Sequence, residues 1–69
     1  MTPEEFRRAV QRFFGDRAFE VHVDAMEYIG RWDGFTLKGY PWSHFIDIFW
    51  DGRQIGTLNP SEIMTEAVR

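Results

Sequence analysis

The chain predicts an α+β fold: an N-terminal helix packed on an antiparallel four- to five-stranded meander, with a short C-terminal helix. Three observations predict it. A capped amphipathic segment opens the chain, "AFEVHVD" alternates strictly between apolar and polar residues, and Trp-Asp-Gly occurs twice, at 32–34 and 50–52.

The first segment, "TPEEFRRAVQRFFG", reads as a helix over 3–14. Thr2 is placed to cap the free N–H of Glu5, Glu5 to reach back as its capping-box partner, and Pro3 fits the first helical position, where no N–H is needed. Phe6, Ala9, Val10, Phe13 and Phe14 recur at helical spacing and make one apolar face. Glu4, Arg7, Arg8, Gln11 and Arg12 fall opposite, with Glu4 four residues before Arg8 in the favourable order. Gly15 supplies the stop.

In a strand over about 18–24, Phe19, Val21 and Val23 share one face and Glu20, His22 and Asp24 the other. Tyr28 and Trp32 would lose that parity if the strand ran straight on. A turn or bulge near Asp24–Glu27 is therefore expected, followed by a strand over about 27–32. Asp-Gly between apolar segments signals a two-residue hairpin, because a type I′ turn needs positive φ at both central positions. A turn at Asp33-Gly34 sets Trp32 opposite Phe35 and Gly30 opposite Leu37, joining 27–32 to a strand over about 35–40. A turn at Asp51-Gly52 joins strands over about 44–50 and 53–58, with Trp50 opposite Arg53, Ile48 opposite Ile55 and Ile46 opposite Thr57. The repeated phrase is thus structural, and chance recurrence of a hairpin device is preferred to duplication. "GYPWSH" connects the hairpins. Asn59, Pro60 and Glu62 repeat the capping pattern of the N-terminus and predict a helix over 60–67. The expected core is Phe6, Val10, Phe13 and Phe14 against Phe19, Val21, Leu37, Ile46, Ile48 and Ile55.

Bulk properties narrow the function. Sixty-nine residues allow one domain, and with no cysteine there is no disulfide or thiolate metal site to staple it. Aromatic residues, 17% of the chain, are the substitute. A net charge of −3 disfavours a protein held mainly by nucleic-acid phosphates. The N-terminal residues have no signal-peptide core and no long apolar run exists, so a cytoplasmic protein without membrane contact is expected.

Candidate chemistry is sparse. Glu20, His22 and Asp24 would lie along one strand face, but one imidazole and two flexible carboxylates make a poor ligand set, and a solvated face is the preferred reading. Ser43 and His44, with Asp47 nearby, point to opposite sides of an extended chain and lack a nucleophile elbow. No phosphate loop or dinucleotide fingerprint occurs. No catalytic residue, metal or cofactor is assigned, and no enzyme is expected.

Surfaces are more informative. In "HFIDIFW", Ile46, Ile48 and Trp50 take one face and Phe45, Asp47 and Phe49 the other, so both are apolar apart from Asp47. Either the C-terminal helix covers Phe45 and Phe49, with Leu58 opposite Phe45, or these rings mark a contact surface. Arg7, Arg8 and Arg12, with Arg17, form a basic stripe that reads first as a solvated helix face and next as a contact for an acidic protein. The expected partner-binding residues are Trp42, Phe45, Phe49, Tyr40, Arg7, Arg8 and Arg12. The leading expectation is a non-enzymatic protein-binding module, an inhibitor or adaptor of a larger complex. One context is a phage or mobile-element product that blocks a host defence nuclease. The alternative is a single-stranded nucleic-acid binder using Trp32, Phe35 and Tyr40 with Arg31 and Lys38.

Overall fold

The computed structural model of the protein describes residues 1–60. Its elements are α1 (Pro3–Phe14), β1 (Glu20–Val23), β2 (Tyr28–Trp32), β3 (Phe35–Gly39), β4 (Ile46–Trp50) and β5 (Arg53–Leu58). Each strand pairs antiparallel with its neighbour in chain order, β1-β2-β3-β4-β5, making a five-stranded sheet with α1 on one face. The helix expected over 60–67 lies, beyond Pro60, outside the described residues.

Both ends of α1 are closed by local chemistry. The Glu5 N–H donates to Thr2 Oγ1 at 3.2 Å, and the Thr2 N–H donates to Glu5 Oε1 at 2.8 Å, which satisfies two of the helix's free donors. At the other end Gly15 takes a positive φ (67°), and its N–H donates to the Gln11 carbonyl. Arg17 then donates from Nη1 to the Phe14 carbonyl at 2.8 Å and lays its guanidinium 4.9 Å from the Trp32 ring centroid. Arg17 is therefore tied to the helix end.

Val10 and Phe6 on the apolar face of α1 seat on glycines of β2 and β3. A Cβ on Gly30 would lie 2.9 and 3.0 Å from the two methyls of Val10, and one on Gly39 would lie 2.8 Å from the Phe6 ring. Such separations are below ordinary carbon–carbon contact. Around these two seats Phe6, Ala9, Val10 and Phe14 close over Tyr28, Leu37, Ile46 and Ile48, all buried. Aromatic rings fill both ends of the layer. Phe6 meets Tyr28 at 5.5 Å, and Phe13 and Phe14 meet Phe35 and Trp32 at 5.8 and 6.1 Å.

The turns account for the strand boundaries. After Val23 the chain reverses at Asp24–Glu27, where Asp24 Oδ1 accepts from the N–H groups of Met26 and Glu27, both at 2.8 Å. The reversal lets Tyr28 resume the inward face lost by parity. Asp33 and Gly34 alone separate Trp32 from its cross-strand partner Phe35, and Asp51 and Gly52 alone separate Trp50 from Arg53. Both turns lie at the same end of the sheet and touch, the Asp51 N–H donating to the Gly34 carbonyl at 2.9 Å.

Three expectations need correction here. Positive φ occurs at both Asp51 (50°) and Gly52 (81°), but in the first turn Asp33 (55°) has it and Gly34 does not. Glycine is favoured at 34 by space instead: a Cβ there would meet the Trp50 ring at 3.0–3.3 Å. Second, β4 and β5 shift register between Ile48 and Phe49. Phe49 pairs with Gln54, but Ile48 pairs with Gly56 and Ile46 with Leu58, not with Ile55 and Thr57. The extra residue turns Leu58 inward, opposite Ile46 and not opposite Phe45. Third, Ile55 leaves the core altogether and is 58% exposed.

The helix seat makes a stability prediction. Gly30→Ala should destabilise by about 1–3 kcal/mol through overpacking. Adding Val10→Ala removes the methyls it collides with, so the double variant should be more stable than the sum of the single losses predicts by at least about 0.5 kcal/mol. Denaturant unfolding of the four proteins measures the cycle. Strict additivity would mean that Val10 and Gly30 do not meet.

Candidate functional site

Strand alternation divides the sheet into two unlike faces. The face toward α1 carries Tyr28, Gly30, Trp32, Phe35, Leu37, Ile46 and Ile48. The opposite face carries two cross-strand rows. One runs His22, Ile29, Lys38, Asp47 and Thr57; the other runs Glu20, Arg31, Thr36, Phe49 and Gln54. Ile29 and Phe49 are half-buried, whereas Glu20, His22 and Arg31 are exposed.

Charges on this second face are arranged in opposition. Glu20 lies across from Arg31 and Lys38 across from Asp47, so its formal charges cancel. Lys38 holds Nζ 5.3 Å from the Phe49 ring centroid, while Asp47 Oδ1 accepts from Gln54 Nε2 at 3.3 Å. A depression of about 620 Å³ runs along β1 and β2, lined by Glu20, Val21, His22, Ile29 and Arg31. A face whose formal charges cancel, with a ring and an aliphatic side chain among them, carries no net positive charge to attract phosphate.

The connection between β3 and β4 carries the most exposed aromatic surface. Trp42 is 66% exposed and Phe45 53%. The loop beneath them is held by its own hydrogen bonds: Ser43 N–H to the Tyr40 carbonyl at 3.1 Å, and Phe45 N–H to Ser43 Oγ at 3.1 Å. The Met1 amino group also donates to the carbonyls of Pro41 and Ser43, at 3.0 and 2.8 Å. Tyr40 stacks on Trp42 with ring centroids 5.3 Å apart and planes 20° from parallel. Tyr40, Trp42 and Phe45 thus share one braced loop.

The other predicted contact residues are placed elsewhere. Phe49 belongs to the second sheet face, on the strand that follows the loop. Arg7, Arg8 and Arg12 are exposed on α1, which packs on the other side of the sheet, and Arg8 pairs with Glu4 at 3.6 Å. The sheet therefore lies between the arginines and Phe49. Trp32 and Phe35 pack toward α1, while Arg31 and Lys38 occupy the opposite face. The aromatic and basic residues named for single-strand binding do not form one platform.

Polar candidates are also committed to local roles. Asp24 lies beyond β1, in the turn; it binds the Met26 and Glu27 N–H groups and approaches His22 Nε2 at 3.5 Å. Glu20 does not join them, and among the described residues no group of three or more His, Cys, Asp or Glu is placed to hold a metal. Ser43 Oγ bonds the backbone of Phe45. No helix among the described residues is long and apolar enough to cross a membrane.

Sequence reasoning missed three exposed apolar residues. Trp50 is 42% exposed, Ile55 58% and Met26 65%. Gly56 was the available signal for Ile55, because glycine inside a strand pattern marks a bulge. Met26 is the tip residue of a turn.

The Asp24 turn should be acid-sensitive. Hydrogen bonds from the Glu27 and Met26 backbone, then from His22, hold its carboxyl below the ordinary 3.8. A pKa depressed on folding stabilises above the unfolded value, and that contribution is lost as pH falls through the folded one. The melting-temperature gap between the natural chain and Asp24→Ala should therefore be full at pH 7 and shrink below about pH 3.8. Thermal unfolding at several pH values tests this; a gap unchanged into strong acid would contradict it.

No family model, curated protein or solved structure matches the chain.

Proposed function

We propose that this protein is a non-enzymatic protein-binding module, acting as an inhibitor or adaptor of a larger complex through the Tyr40–Phe45 loop, with Phe49 on the second sheet face. The observation that carries the reading is the braced exposure of Trp42 and Phe45. Large rings that water reaches are costly to leave bare, and aromatic residues dominate the energetics of protein contacts. Holding the loop backbone before binding reduces the ordering cost of association. The neutral second face favours protein over nucleic acid. Arg7, Arg8 and Arg12 lie on the far side of the sheet from Phe49 and belong to a separate surface.

Affinity capture with the natural chain, followed by binding measurements on the recovered partner, tests the proposal. Trp42→Ala and Phe45→Ala should each weaken that binding by about 2 kcal/mol or more. Both should leave folding nearly intact, whereas a buried Phe→Ala such as Phe6→Ala should cost about 3–5 kcal/mol of stability. Binding should depend little on salt. Tight binding to single-stranded oligonucleotides, with a log–log salt slope of about −0.7 per phosphate contacted, would overturn the reading.

A further inference from the structure

The two Asp-Gly pairs invite a chemical question that the contact surface does not answer. An aspartate followed by glycine can cyclise, because the next amide nitrogen carries no bulky neighbour to hinder its attack on the side-chain carboxyl. The reaction requires that amide to swing toward Cγ, so it is governed by how freely the turn can move.

The two turns differ in that respect. Gly34 lies under the Trp50 ring, with three ring atoms 3.0–3.3 Å from the position of a Cβ. Gly52 has nothing within 4 Å of the corresponding position. Asp51, Gly52 and the following Arg53 are all exposed, whereas Gly34 and Phe35 are half-buried. The second turn also joins β4 to the edge strand β5, which has a partner on one side only among the described residues.

We propose that Asp51-Gly52 is a site of spontaneous isoaspartate formation and that Asp33-Gly34 is protected from it by Trp50. The Gly52 backbone nitrogen attacks Asp51 Cγ, an N–C bond forms, and the carboxyl hydroxyl leaves with the amide proton as one water. Water then opens the succinimide. Cleavage between the nitrogen and Cγ restores aspartate; cleavage between the nitrogen and the main-chain carbonyl carbon routes the backbone through Cγ. The second product has the original mass and one added backbone methylene. It removes the two-residue spacing that sets Trp50 opposite Arg53, and so loosens the β5 edge.

The experiment ages the full chain at neutral pH and 37 °C, natively and in denaturant. IsoAspartyl methyltransferase labelling and peptide mapping then locate isoaspartate at each position. In denaturant both pairs should react at similar rates. In the native protein Asp51 should exceed Asp33 several-fold, and Asp51→Glu should abolish the main signal while Asp33→Glu leaves it. Equal native rates, an excess at Asp33, or a native signal that survives Asp51→Glu would overturn the proposal.

Discussion

The close seating of Val10 on Gly30 is the constraint from which the rest of the architecture follows. A helix reaches a sheet at this range only where the strand presents no side chain, and β2 provides that place in its middle. Gly39 repeats the arrangement on β3 beneath Phe6. With the two seats fixed, the helix ends have defined neighbours. Phe6 reaches Tyr28 at one end, and Phe14 reaches Trp32 and Phe19 at the other. Arg17 closes the second end from outside, bonding the last helical turn and covering Trp32 at once.

One layer of helix over one face accounts for the surfaces that remain. The largest fully buried side chains among the described residues, Phe6, Phe14, Leu37, Ile46 and Val10, all belong to the helix-facing layer. The opposite face sets Glu20 across from Arg31 and Lys38 across from Asp47, and carries the Lys38–Phe49 contact. Such pairs support a sheet modestly, at about 0.2–1 kcal/mol each. The exposed rings are concentrated where the chain leaves this layered part, in the loop between β3 and β4. That loop is stiffened by backbone hydrogen bonds, which is why its aromatic side chains read as a presented surface and not as loose loop residues.

What the sequence revealed depended on whether the determining chemistry was local. The helix was legible because Thr2, Pro3, Glu5 and Gly15 each act within a few residues. The reversal at Asp24–Glu27 was legible because the parity of Val23 and Tyr28 forces it, and the pairing of Trp32 with Phe35 because only two residues intervene. The β4–β5 register was not: a single inserted residue exchanges Ile55 and Thr57 for Gly56 and Leu58 on the inward face, where Leu58 packs against the core that includes Ile48. The role of Gly34 was hidden for a similar reason, since Trp50 comes from a different hairpin strand. At the proposed contact surface, residue type picked out Trp42 and Phe45. It could not separate Arg7, Arg8 and Arg12 from Phe49, because that separation is a property of the layers.

Nuclear Overhauser contacts in isotopically labelled protein test the central constraint most directly. The seat predicts strong cross-peaks from both Val10 methyls to the Gly30 α-protons, with the Phe6 ring protons similarly close to Gly39. Val10 methyls that show no contact with Gly30, or that instead contact Ile29 and Lys38 on the opposite face, would contradict the account.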